Sequence, residues 1–135
     1  MQNCKDTAVK LCNHAIELGF DIKYGGMFSR FEKDTPVTTD KDWWTQTESV
    51  LAFLNAHSLT GDKKFLSYAI RLLEYIDNTF SDAINGEWYD TVSREGKPYI
   101  DKPKAHLWKS IYHNVRYCVL TVKHLENLFV PVLRE

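Results

Sequence analysis

The side chains of this chain best suited to chemistry lie in two short stretches. One of them, residues 107–116, brings Trp108, His113 and Arg116 close together. A histidine in the first turn of a helix lies near the positive end of the helix dipole, which favours the neutral imidazole that can accept a proton. This stretch therefore has the residue types for a general base, an aromatic surface and a cation.

The second stretch, residues 41–48, contains Trp43, Trp44 and Glu48. Glu48 follows Trp44 by one helical turn, so both side chains can face one cavity. Aromatic rings often line sites for sugars, although core packing is their more common use. The residues alone leave open whether His113 is structural or catalytic, and whether the tryptophans bind a ligand or belong to the core.

Several classes of function have no support in the sequence. It contains no GxGxxG, P-loop, HExxH or GxSxG motif and no CxxC pair. Five histidines without ligand spacing do not predict a metal site. A formal net charge of −1, from 17 basic and 18 acidic residues, predicts neither a nucleic acid nor a membrane as partner.

Length and composition indicate one cytoplasmic domain. A chain of 135 residues, 44% of them hydrophobic, can bury one core, so we expect a single domain over residues 1–135. The apolar runs are too short for a bilayer, and the first residues lack the order of a signal peptide. Three cysteines without a CxxC pair are typical of reduced thiols.

Helical periodicity predicts four helices and two long loops. The apolar residues recur at helical spacing over residues 3–20, 43–59, 63–80 and 111–129. The loops are residues 21–42 and 81–110, and each is expected to contain a short hairpin, the second pairing residues 87–92 with residues 97–100. A tight turn at Gly61 separates the middle helices. This alternation predicts antiparallel helical hairpins with long loops at one end.

The last helix has two distinct faces. His113 lies roughly opposite an apolar stripe, on a polar face that it shares with Arg116 and Tyr117, which predicts that the stripe packs into the core. The stripe consists of Ile111, Val115, Cys118, Val119, Val122, Leu125 and Phe129.

The chain resembles the N-acylglucosamine 2-epimerase and cellobiose 2-epimerase family. The matching motifs are residues 41–48 (KDWWTQTE), 59–62 (LTGD), 86–88 (GEW) and 108–116 (WKSIYHNVR), and the Gly25-Gly26 loop also fits. They follow the family's order and approximate spacing from about residue 8 to residue 126.

This resemblance implies a fold and a mechanism. Members of the family are (α/α)6 barrels that bind a sugar in the central cleft and isomerise it at C2 without a cofactor. After ring opening, one histidine removes the proton beside the carbonyl, and a second histidine returns it to the other face of an enediolate. His113 matches one of the two histidines. Trp44, less closely Trp43, and Trp108 match positions that pack against the sugar, and Glu48, Arg116 and Lys109 are expected at the cleft wall.

The resemblance covers only the C-terminal third of such an enzyme. The segment with the other histidine and its glutamate, and an earlier cleft arginine, have no counterpart here. Four helices also cannot close a barrel of twelve. We therefore expect an all-α, partial (α/α)6 barrel that is a fragment, a truncated gene product or a piece of a split enzyme. Its expected partners are a sugar and either the missing N-terminal barrel segment or a second copy.

Two other functions are compatible with the same residues. A helical sugar-binding or interaction module would keep the fold without turnover. A glycoside hydrolase needs two opposed carboxylates, and the two candidates, Glu48 and Glu87, have no obvious mates. The sugar itself is not predicted, beyond a slight similarity of residues 43–46 and 112–114 to the branch that acts on disaccharides.

Overall fold

The structure is a computed structural model that describes residues 2–129, apart from the side chain of Phe129. It contains the four predicted helices: α1 (Gln2–His14), α2 (Trp43–Thr60), α3 (Lys63–Thr79) and α4 (Tyr112–Phe129). A π-helical turn, Ala15–Gly19, continues α1. The all-α fold class is thus confirmed. None of these helices is long and apolar enough to cross a membrane.

Four two-residue strands organise the loops. β1 (Phe31–Glu32) pairs antiparallel with β2 (Thr35–Pro36), and β3 (Lys41–Asp42) pairs antiparallel with β4 (Thr91–Val92). The predicted pairing of residues 87–92 with 97–100 is found only as a single bridge, between Val92 and Pro98. Sequence periodicity missed the pairing of β4 with β3 because it joins loops that are distant in the chain.

Helix α2 is the centre of the core and packs against the three other helices. Buried residues occupy several sides of it, as its broad apolar content predicts. The helix ends at Gly61, whose φ of 72° is left-handed and whose N–H donates to the His57 carbonyl at 2.7 Å.

The apolar stripe of α4 faces away from the core, so the prediction that it packs inward was wrong. Ile111, Val115, Val119 and Val122 are 48 to 75% exposed. The opposite face packs against α2 instead. On this face the buried ring of Tyr117 also lies 5.3 Å from that of Trp88, in the second long loop. The Phe129 side chain lies outside the described part.

The loops that follow the first and third helices repeat one hydrogen-bonding pattern, here called the Asp–Gly loop. In the first copy, Asp21 N–H donates to the Gly26 carbonyl at 2.9 Å, and Gly25 N–H donates to the Asp21 carbonyl at 2.8 Å. In the second copy, Asp82 and Gly86 make the same bonds, at 3.0 Å to the Glu87 carbonyl and at 2.9 Å to the Asp82 carbonyl.

A lysine closes each Asp–Gly loop. Lys41 is fully buried, lies 3.2 Å from the Asp21 carboxylate and donates to the Gly25 carbonyl at 2.5 Å. Lys104 makes the corresponding contacts to the Asp82 carboxylate and the Gly86 carbonyl. Burial opposes ionisation of Asp21, but the hydrogen bond from Arg94 and the charge of Lys41 outweigh it and lower the pKa of Asp21 to about 2.

Replacing Asp21 by Asn should destabilise the fold by about 3 kcal/mol, because it leaves Lys41 buried without a counter-charge. Since the folded pKa of Asp21 is depressed from 3.8 to about 2, its contribution to stability is complete above pH 3.8 and is lost as the pH falls toward 2. Urea unfolding between pH 7 and pH 2 measures both effects. Replacement of the exposed Asp34 by Asn is the matched control and should change neither.

Candidate functional site

A carboxylate on α2 joins two side chains from the first turns of α4. The Nδ1 atom of His113 lies 2.9 Å from Oε1 of Glu48. Arg116, one turn further along α4, donates to the same oxygen at 2.5 Å and also to Oε2. The packing of α4 on α2 thus brings together three of the predicted site residues.

The surroundings of Glu48 keep it ionised. Burial raises its pKa, but the hydrogen bonds from Arg116 and His113 outweigh burial, and the net pKa is lowered. The same contact raises the pKa of Arg116. Because a carboxylate only accepts hydrogen bonds, Nδ1 of His113 must carry a hydrogen when it is bonded to Glu48. The lone pair of neutral His113 is then on Nε2, which is the nitrogen that can accept a proton.

Two tryptophans flank this imidazole. Trp43 is buried, and its ring meets that of His113 edge to face, with ring centres 6.3 Å apart. Trp44 is 41% exposed, and its ring centre lies 6.2 Å from that of His113. Trp44 therefore offers an accessible aromatic surface next to the imidazole, whereas Trp43 supports it from the core.

The structure does not bring Trp108 into this cluster. Trp108 is 80% exposed, and it belongs to the turn in which Lys109 N–H donates to the His106 carbonyl at 3.0 Å. Within residues 2–129, its ring pairs with no other aromatic ring. A contact between Trp108 and a sugar therefore stays a prediction.

His106 lies beside the site and was missed by sequence reasoning. Its ring centre is 6.1 Å from that of Trp43, and its Nε2 atom is 2.8 Å from the Asp90 carboxylate. Its Nδ1 atom accepts the N–H of Trp108 at 3.2 Å, so both ring nitrogens are engaged. We infer a structural role for His106, and no motif in the sequence indicated it.

Lys109 lies behind the site rather than on an open wall. It is 3% exposed, donates to the Trp88 carbonyl and approaches Oε1 of Glu87 at 3.3 Å. Burial lowers the pKa of Lys109. Glu87 also accepts a hydrogen bond of 2.6 Å from Nδ2 of Asn114, the residue after His113. Sequence reasoning did not predict this link.

A shallow depression borders the site on the exposed face of α4. Its volume is about 550 Å³, and its lining includes Ser110 and Arg116 beside the apolar Ile111, Val115 and Val119. Among residues 2–129, no three histidine, cysteine, aspartate or glutamate side chains are grouped in a way that could hold a metal ion.

The bond between His113 and Glu48 should be visible by NMR of protein labelled with 15N in its histidines. In the unmodified chain, neutral His113 should carry its hydrogen on Nδ1. Replacement of Glu48 by Ala removes the acceptor and should shift the tautomer ratio toward Nε2–H by about tenfold, the range expected for a hydrogen bond to a charged group. The exposed His14 is an internal reference, and an unchanged His113 signal would contradict the geometry described here.

Comparison with known proteins adds the family to this geometry. A family model described as N-acylglucosamine 2-epimerase (GlcNAc 2-epimerase) matches residues 2–117. The cellobiose 2-epimerase of Bacteroides fragilis is 34% identical over 98 residues, which are 70% of this chain and 24% of that protein. The N-acylglucosamine 2-epimerase of Bos taurus is 31% identical over 115 residues, which are 82% of this chain and 27% of that protein.

Solved structures resemble the chain as well. A sugar epimerase from a ruminal bacterium superposes with a TM-score of 0.81 and 26% identity, over 90% of this chain and 31% of that one. A D-mannose isomerase superposes with a TM-score of 0.76 and 27% identity, over 82% of this chain and 28% of that one. The chain thus spans about a quarter of the length of the curated relatives described above.

Proposed function

We propose that this chain, which belongs to the N-acylglucosamine 2-epimerase family, is the part of a sugar 2-epimerase that carries one of the two proton-transferring histidines. His113 is that residue, and Trp44, Glu48 and Arg116 form the surrounding cleft wall. The observation that carries this proposal is the bond between Nδ1 of His113 and Glu48, which leaves Nε2 as the free base.

The proposed step needs no cofactor. Nε2 of His113 removes the proton from C2 of the open-chain sugar, and the electron pair of that C–H bond forms an enediolate with the neighbouring carbonyl. The ionised Glu48 stabilises the imidazolium that results, because it already accepts the Nδ1 hydrogen. Arg116 donates to both carboxylate oxygens of Glu48 and holds Glu48 in the orientation that bonds His113.

Two aromatic residues support a sugar as the ligand. Trp44 exposes 41% of its surface beside His113, so an apolar sugar face can stack on it while the hydroxyl groups stay hydrated. Trp108 is 80% exposed and free to contact a ligand from the loop before α4. Trp43 is a less suitable contact because it is buried.

The second proton transfer requires a group that the described residues do not supply at this site. We propose that a further barrel segment, equivalent to the part of the relatives that this chain does not match, supplies it. A non-catalytic sugar-binding or interaction module of the same fold is the second candidate. It is favoured by the exposed rings of Trp44 and Trp108, which can contact a sugar without any proton transfer.

Deuterium incorporation at C2 tests the proposal. The chain is incubated in deuterium oxide with mannose, N-acetylmannosamine or cellobiose, alone and with the upstream portion of the Bacteroides fragilis relative. Exchange is expected in the presence of that portion, and replacement of His113 by Ala should reduce it by a factor of at least about 100, the range for losing a general base. Replacement of the exposed His14 by Ala is the matched control and should leave exchange intact.

Two results would contradict the proposed enzyme function. One is the absence of exchange under all conditions with a chain that is folded and binds the upstream portion. The other is full exchange by the variant that lacks His113. Sugar binding without exchange would instead favour the module.

The exposed stripe of α4 is proposed as the surface that contacts the upstream portion. Val115 and Val119 lie at its centre and are about half exposed. Replacing both by Lys should abolish association in sedimentation velocity without unfolding the chain, because a charged face cannot be buried without partners. Replacing Val37 by Lys is the control, since this valine is 48% exposed and lies in the loop before β3. Equal association of all three chains would contradict this contact.

A further inference from the structure

The two Asp–Gly loops differ at one pair of positions. The position after the loop glycine is Gly26 in the first copy and Glu87 in the second, and both have a left-handed φ, of 76° and 62° respectively. The second position lies five residues after the lysine that closes each loop. It is Gln46 in the first copy, after Lys41, and Lys109 in the second copy, after Lys104. The neutral pair of Gly26 and Gln46 in the first copy thus corresponds to an ion pair of Glu87 and Lys109 in the second copy.

The neutral pair in the first copy supports the loop without any charge. Oε1 of Gln46 accepts the N–H of Met27 at 2.6 Å, and its Nε2 atom donates to the Met27 carbonyl at 2.8 Å. Gly26 adopts its left-handed φ without strain, and a Cβ there would lie 2.5 Å from the ring of Tyr75. The loop pattern therefore needs no charge at either position.

The ion pair in the second copy carries two costs. Glu87 is a non-glycine residue with a φ of 62°, a conformation that L-residues rarely adopt. Lys109 is 3% exposed, so its ammonium group has lost most of its hydration. Neither cost is needed to form the loop, because the first copy forms the same loop without them.

The ion pair also makes a contact that the neutral pair cannot make. Oε1 of Glu87 accepts the Nδ2 hydrogen of Asn114 at 2.6 Å, while Lys109 holds the same oxygen at 3.3 Å. Asn114 follows His113 in the first turn of α4. This turn carries the imidazole that must meet Glu48 at 2.9 Å.

We propose that Glu87 and Lys109 are positioning residues that act through Asn114 to hold the first turn of α4, and with it His113, against Glu48. This inference rests on the proposed function for its catalytic meaning, but the geometry that it claims can be measured without turnover. Neither residue contacts the reacting atoms in this scheme.

The test converts the second loop to the composition of the first. The double variant Glu87→Gly/Lys109→Gln should fold, because it has the neutral pair of the first loop and glycine relieves the left-handed φ. Without the link to Asn114, the Nδ1–H tautomer of His113 in 15N histidine spectra should decrease relative to Nε2–H by about fivefold, as expected for one weakened hydrogen bond. The single variant Asn114→Ala, which leaves the ion pair intact, should produce the same shift.

Two further variants separate positioning from general loosening. Glu87→Gln keeps an acceptor for Asn114 and should retain most of the Nδ1–H signal. Lys33→Gly is the matched control, because Lys33 is another non-glycine residue with a left-handed φ, of 47°, in the turn between β1 and β2. It should leave the His113 tautomer unchanged.

Two results would overturn the inference. One is an unchanged His113 tautomer in the folded double variant and in Asn114→Ala. Another is unfolding of both variants, which would assign these residues to the fold rather than to the position of His113. Failure of the exchange experiment alone would contradict the proposed function and would leave the tautomer result standing.

Discussion

The buried ion pair between Lys41 and Asp21 is the interaction on which the arrangement of the site depends. Lys41 is fully buried and connects three segments, because it contacts Asp21, the Gly25 carbonyl and the Arg94 carbonyl at 2.8 Å. The side chain of Arg94, in the second long loop, also pairs with the Asp21 carboxylate, with Nε of Arg94 2.9 Å from Oδ2 of Asp21. These contacts anchor the start of α2, the helix that carries Trp43, Trp44 and Glu48, to both loops.

Local patterns in the sequence predicted the helices but not their mutual packing. The four helices and the turn at Gly61 follow from apolar periodicity and from glycine, which are local signals. The burial of Lys41 was not predictable in this way, since a lysine between acidic residues normally indicates a solvated surface. The prediction of which face of α4 is buried was also wrong, because the more polar face of this helix packs against α2 and the more apolar face does not.

The site shows the same division between local and tertiary signals. The family resemblance pointed to four residues as parts of the site, and the structure brings them together: Trp44, Glu48, His113 and Arg116. It gave no indication of the contacts between Glu87 and Asn114 or between His106 and Asp90. The repeated Asp–Gly loop was equally hidden, because its two copies share few side chains and its signature is a set of backbone hydrogen bonds.

The geometry of Glu48 also limits what this site can do by itself in the proposed reaction. A carboxylate that holds Nδ1 of His113 leaves one nitrogen, Nε2, to exchange protons with a ligand. An imidazole fixed in this way approaches a planar enediolate from one face, and return of the proton to that face restores the original sugar. If the bound enediolate keeps its orientation, inversion at C2 needs a second donor on the opposite face. In the proposed reaction, the fixed orientation of His113 is therefore also the reason why the second proton transfer falls to another segment.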